Sequence, residues 1–481
     1  MDNLNITALT ATDLSEKIHS RQISCEEVMQ AYLGQIHAIN PKVNAIVSLL
    51  ADDELVLAAR AKDRDFHHIT DKGFLYGFPL APKDLTATKG IPTTLGSPIF
   101  KNQLHVADSI VVERMKAAGG ILIGKTNVPE FGLGSNTYNT VFGKTRNSYD
   151  QSKTAGGSSG GTAVALALQM LPIGDGSDFG GSLRNPSAWN NVYGLRPSLG
   201  RVPTGPGKDI FYDQLGTEGP MARNVTDLAM MLSIQAGYDP RIPLSLKESP
   251  QIFAKPLQAN LVGKKIAWLG DFGGYLPMEL GLLEQSRASL RYFDELGCEV
   301  AEVLPHFDMS QLWKSWLALR AFTTGGNLYP LYQNPSTREL LKPEAIWEIE
   351  QSIHLKASEV YAASIIRSNW TKELDRLLQI YDVLVLPSAQ VFAFDVDTHW
   401  PQTIAGKTMD TYHQWMEVVI GATLAGLPAL AVPAGFHQGV PFGLQLIGKR
   451  HGELELLQFG HGWEGVTPFK DETSPLIPQH Q

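Results

Sequence analysis

Apolar positions along the chain fall into short runs that alternate between helical and extended periods. Behind the capping-box spacing of Ser24-Cys25-Glu26-Glu27, residues Val28, Tyr32, Leu33 and Ile36 recur at helical intervals. This predicts an amphipathic surface helix that ends near Asn40-Pro41. FLYGFPLAP (74–82), which leads to Lys83, and GGILIGK (119–125) predict strands. TAVALALQM (162–170) is apolar on every side and predicts a buried helix. KIAWLG (265–270), the helical run Leu280 to Leu296 and CEVAEV (298–303) predict a βαβ unit, and YDVLVLP (381–387) and PFGLQLIG (441–448) add strands. Alternation at this density predicts an α/β fold, a central mixed sheet covered by helices on both faces. With no internal repeat, low-complexity tract or linker, residues 1–481 are expected to form one large domain.

One stretch competes with that picture. VVIGATLAGLPALAVPAGF (418–436) runs uncharged for nineteen residues, close to the length of a membrane span. Pro428, Pro433 and its glycines break it, so the pattern predicts a buried helix to about Ala425, a turn at 426–428 and a strand over Ala429–Val432. Net charge is −9 with the basic residues scattered, which argues against nucleic acid or an anionic membrane surface as partner. Cys25 and Cys298 are the two cysteines, too few for a disulfide framework or a cysteine-rich zinc site. The polar N-terminus lacks a basic-then-apolar signal pattern, so a reducing, cytoplasmic setting is expected.

Two motifs carry familiar letters in the wrong context. Gly119 to Thr126 spells G-x-x-x-x-G-K-T, but Ile121 to Ile123 read as the strand itself and Pro129 interrupts the helix that a phosphate loop requires. Gly157-Ser158-Ser159-Gly160-Gly161 contains G-x-S-x-G, yet the preceding NSYDQSKTAG (147–156) is polar where a nucleophile elbow needs an apolar strand. A Ser–His–Asp enzyme built on Ser159 is therefore the second reading, and Ser159 reads better as a helix cap. Three other pieces combine more readily. GFPLAPKDL places Lys83 at the end of an apolar strand, and GGSSGG places Ser158 where a loop becomes a buried helix. GSDFGGSLRNP places Ser182 on a second glycine loop. One helix and a short extended return fit between the serines, so both loops can lie at the same edge of the sheet.

These residues carry a resemblance. The stretch from GGSSGG to GLRPSLGRVP (156–203) resembles the signature region of the amidase signature family, and PLAPKDLTATKGIPTTLGS resembles its lysine segment. GKTNVPEFG (124–132) and GLPALAVPAG…GVPFGLQLIG (426–448) are similar to its recurring segments. The resemblance implies a signature core over 60–230, a variable substrate-side region over 240–380 and a return to the core sheet over 381–460. It implies Ser182 as nucleophile, Ser158 as bridging serine after a cis peptide, and Lys83 as base, with no metal and no cofactor. A serine hydroxyl needs a neighbour to accept its proton, and a neutral lysine can do so through a second hydroxyl. Gly180 and Gly181 leave backbone N–H groups unshielded, so Phe179, Gly180, Gly181 and Ser182 are expected to form an oxyanion hole. Asp178 and Arg184 are expected to shape the loop by hydrogen bonding. Phe179 and Pro82 depart from the family's usual smaller and aliphatic residues at those positions.

The expected function is hydrolysis of small-molecule, hydrophobic or aryl amides, with esters or carbamates as further candidates and a homodimer as the candidate assembly. The alternative within the resemblance is the glutaminase subunit of a tRNA-dependent amidotransferase. An inactive homologue serving as a binding module is the remaining reading. Against the glutaminase stands DIFYDQLGTEGP (209–220), which has Ile210 and Phe211 where such proteins resemble SSLDQ. Trp313, Trp316, Phe322, Tyr329, Tyr332, Tyr361 and Trp370 are expected to serve the core more than the pocket.

Overall fold

The computed structural model describes residues 5–207 and 209–477. Eight strands form its central sheet: β1 (Gly174–Asp178), β2 (Tyr193–Arg196), β3 (Thr217–Ala222), β4 (Lys265–Trp268), β5 (Glu299–Glu302), β6 (Val383–Pro387), β7 (Ala429–His437) and β8 (Val440–Ile447). Their order across the sheet is β5-β4-β6-β8-β7-β2-β3-β1. β4 runs parallel to β5 and β6, and the remaining neighbours are antiparallel. The sheet is therefore mixed, in a single α/β domain.

Alternation along the strands sorts the core into two layers. Val383, Val385, Leu430, Val432, Leu444 and Leu446 pack with the helices Val225–Gln235 and Glu453–Val466. Leu384, Leu386, Ala429 and Ile447 face the other way, onto the helices Met309–Arg320, Ala357–Leu378 and Ile420–Ala425. Both faces are covered, which is why β6, the start of β7 and most of β8 read as near-continuous apolar runs rather than alternating ones. The helix Gly160–Ala167 is buried from Gly160 to Leu166, in keeping with its all-apolar pattern.

Several boundaries differ from the pattern. The capping box forms, with Ser24 Oγ accepting from Glu27 N–H, but the helix Cys25–Val43 runs through Pro41 to a left-handed cap at Asn44. Pro41 sits in the last turn, so its missing donor leaves the closing bond from Asn44 N–H to Asn40 C=O (2.7 Å) intact. Residues 74–82 and 119–125 lie outside the central sheet. They form a two-residue parallel pair, Pro79–Leu80 with Ile121–Leu122, and Lys125 joins a short antiparallel pair with Ile46–Val47; prolines and glycines shorten both runs. The βαβ unit holds two helices, Leu282–Ser289 and Arg291–Glu295, and Leu280 stands exposed before them. Residues 418–436 resolve into the helix Ile420–Ala425, a left-handed turn at Gly426 and β7, which continues past Val432 through a register shift between Pro433 and Gly435. Among the described residues no helix is long and apolar enough to cross a membrane.

Candidate active site

Lys83 lies three residues past Leu80, and its backbone N–H donates to Asp175 Oδ2 on β1 (3.2 Å). That bond aims the fully buried side chain along β1. Its Nζ reaches Ser158 Oγ (2.8 Å), Ser159 Oγ (2.9 Å), Ser177 Oγ (2.9 Å) and Ser177 C=O (3.2 Å). Burial pushes the lysine down to about 7, while the negative charges of Asp175, Asp178 and Glu218 pull it back up. A neutral amine in this cage can accept a proton from a hydroxyl, which an ordinary lysine at neutral pH cannot.

Ser158 stands at the start of the helix Gly160–Ala167, and the peptide bond before it, Gly157–Ser158, is cis. Ser135 Oγ donates to Gly157 C=O and lies 3.0 Å from Asn185 Oδ1, which ties this turn to the second glycine loop. Ser159 does not cap the helix with its side chain. Its Oγ is engaged by Lys83 instead, because the lysine's buried donors need acceptors and the helix's first turn is already enclosed. No strand precedes Ser159, so the elbow geometry is absent there.

Ser182 follows Gly181, whose φ of +90° only glycine adopts freely, and is 6% exposed. The loop is tied from beneath by Asp178. Its carboxylate accepts from Gly181 N–H (2.9 Å), Leu183 N–H (3.1 Å) and Arg184 Nε and Nη2 (both 2.9 Å). Arg196 Nη1 reaches the same carboxylate at 3.3 Å. Burial alone would raise this acid, but the Arg184 and Arg196 guanidiniums and the loop N–H groups hold it well below the usual carboxylate range. The bond to Asp178 corrects one expectation: Gly181 N–H points into the loop and is not a free donor. Among the described residues, the N–H groups of Phe179, Gly180 and Ser182 meet no protein acceptor. Ser182 Oγ likewise bonds to no protein group among them, so hydrogen bonds join Lys83 to Ser158 but not Ser158 to Ser182.

On the open side of the loop, Phe179 packs against Trp316 (5.6 Å between centroids), and the Arg320 guanidinium lies 5.3 Å over the Phe179 ring. A Cβ on Gly180 would stand 3.3 Å from the Trp316 indole. Of the seven aromatics singled out in the variable region, Trp313, Trp316 and Trp370 are buried, and Trp316 packs against Phe179. Phe322, Tyr329 and Tyr361 are exposed. A cavity of about 290 Å³ beside the loop is lined by Ser177, Phe179, Ile210, Glu218 and Ile242. Ile210 faces this cavity, whereas Phe211 points to solvent at 62% exposure, so only one of the two apolar replacements bears on it.

Ser177, Asp175, Glu218, Ser135 and Asn185 were not singled out from the sequence. Their signal was faint: in GDGSD every second residue is polar, although β1 is buried. The phosphate-loop letters at 119–126 form no phosphate loop. Lys125 is buried and donates to Thr86 C=O (2.6 Å) and Thr88 Oγ1 (2.8 Å).

Known proteins are similar to this chain over nearly its whole length. A family model described as Amidase matches residues 27–457. A glutamyl-tRNA(Gln) amidotransferase subunit from Cyanothece sp. is 32% identical over 96% of this chain and 99% of its own length. The acylamidase of Rhodococcus erythropolis is 31% identical over 98% of each. A solved bacterial aryl acylamidase of the amidase signature enzymes superposes with a TM-score of 0.90 at 28% identity, covering 97% of this chain and 98% of that one. With its lysine and two glycine-loop serines held at one end of a mixed sheet, the chain belongs to the amidase family and folds as an amidase signature enzyme.

Proposed function

We propose that this amide hydrolase acts on small hydrophobic or aryl amides through an acyl-enzyme on Ser182, with Ser158 and Lys83 as its proton path. The observation that carries the reading is Lys83, buried, near neutrality in its titration and bonded to Ser158. Ser182 Oγ attacks the carbonyl carbon and passes its proton to Ser158, whose own proton goes to Lys83 Nζ. The N–H groups of Phe179, Gly180 and Ser182 receive the developing oxyanion. Ser158 then returns a proton to the departing amine, and water attacks the acyl-enzyme by the same path. Asp178 and Arg184 hold the loop without touching substrate. Phe179, Trp316 and Ile210 offer apolar surface, whose contact with an aryl group is favourable by about 25 cal/mol per Å². Both cysteines are free and buried, in keeping with the cytoplasmic setting we infer.

The second reading, the glutaminase component of a tRNA-dependent amidotransferase, is favoured by the 32% identity to a protein of that kind. Three measurements test the proposal. A sulfonyl fluoride should attach at Ser182, and Ser182→Ala should fold normally and lose turnover. The purified chain should hydrolyse 4-nitroacetanilide without a partner protein. Fast ammonia release from L-glutamine with the anilide untouched would replace the first reading by the second.

A further inference from the structure

Glu218 is an acid in an otherwise apolar, buried stretch of β3, and it takes no part in the proton path from Ser182 to Lys83. It is 8% exposed, and its Oε2 has no hydrogen-bond partner among the described residues. In the β1–β3 pair, Glu218 stands directly opposite Ser177. Residues opposite each other in an antiparallel pair project from the same face with Cβ atoms about 5 Å apart. Ser177 Oγ is the hydroxyl that takes a hydrogen bond from Lys83 Nζ. Asp175, two residues earlier on β1, shares that face and accepts from the Lys83 backbone. The cavity beside the nucleophile loop is lined by both Ser177 and Glu218.

We propose that Glu218 is a positioning residue for Lys83, acting across the β1–β3 pair beside Ser177 to decide how often the lysine is an amine. The inference rests on the reading of Lys83 as the base. The charged groups that act on Glu218 are Asp175 on β1, Lys83 and Lys125; those that act on Lys83 are Asp175, Asp178 and Glu218. Burial and the neighbouring Asp175 charge push the Glu218 carboxyl up to about 8, while Lys83 and Lys125 draw it down. Burial thus moves Lys83 and Glu218 towards each other, the amine down and the carboxyl up. When the pair holds one proton, it divides between ammonium with carboxylate and amine with carboxylic acid. Only the second form offers Ser158 a base. A neutral side chain at 218 removes the first form, so the lysine loses its proton at lower pH.

The test is the rate of inactivation by phenylmethylsulfonyl fluoride between pH 5 and 10, a readout that does not need the natural substrate. It compares wild type with Glu218→Gln and with Glu218→Met, two neutral replacements of similar volume, each checked for folding by circular dichroism. The acid limb should move down by about half a pH unit in either folded variant, because Glu218 is itself partly protonated across that limb and carries only part of the effect of a full opposite charge. An acid limb unmoved in the folded variants would overturn the inference while leaving the base in place. Lys83→Ala separates the two claims: if it reacts as fast as wild type, Lys83 is not the base and both fail.

Discussion

Replacing Lys83 by Met keeps much of the side chain's volume and removes the amine, and its consequence for stability follows from the burial of the site. The folded lysine titrates at about 7 against an ordinary 10.5, so folding at neutral pH must strip part of a proton that the unfolded chain holds fully. Because the unfolded state binds more protons between these values, wild-type stability from this group is complete above 10.5 and falls as pH drops towards 7. The cost is about 4 kcal/mol at pH 7 and about 2 kcal/mol at pH 9, from the linkage of one proton to folding. The variant lacks this cost but forfeits the bonds to Ser158, Ser159 and Ser177, worth about 1 kcal/mol each. Urea unfolding of both proteins at pH 7, 8 and 9, each also in a Glu218→Gln background, isolates the proton, because with the coupled carboxyl removed the remaining titrating groups largely cancel in the difference. Wild type should gain about 2 kcal/mol on the variant between pH 7 and 9. A difference constant across that range would refute the claim that Lys83 is discharged by burial. The variant should also lose several orders of magnitude in kcat/KM.

Gly181→Ala should lower both stability, by about 2 kcal/mol, and turnover, because a methyl at φ +90° is strained and would meet Asn185 and the Val419 side chain. Thermal unfolding and anilide hydrolysis measure the two losses. Asp178→Ala leaves Arg184 and Arg196 buried without their counter-charge, so it should cost about 3–5 kcal/mol in chemical denaturation. Dialysis against a strong chelator should leave the anilide rate unchanged, since proton transfer here runs through Lys83; a loss restored by zinc would contradict that mechanism.

Periodicity and punctuation along the chain determined the α/β class, the buried helix after Ser158, the βαβ unit and the broken nature of 418–436. These are local properties: apolar period, caps, glycines and prolines act within a few residues. The glycine loops around Ser158 and Ser182 and the apolar approach to Lys83 were legible for the same reason. What the sequence left open depends on partners far apart along the chain. That Lys83 engages Ser159 and Ser177 as well as Ser158 is decided by β1 lying beside the residue-83 segment, with Asp175 binding its backbone. The commitment of Gly181 N–H to Asp178 depends on side-chain direction in a fully buried loop, which no letter pattern reports. Glu218 looked like one acid among 49 acidic residues until β3 paired with β1. Burial then made its charge consequential, because an unpaired carboxyl in a low-dielectric site shifts its own titration and that of the amine beside it.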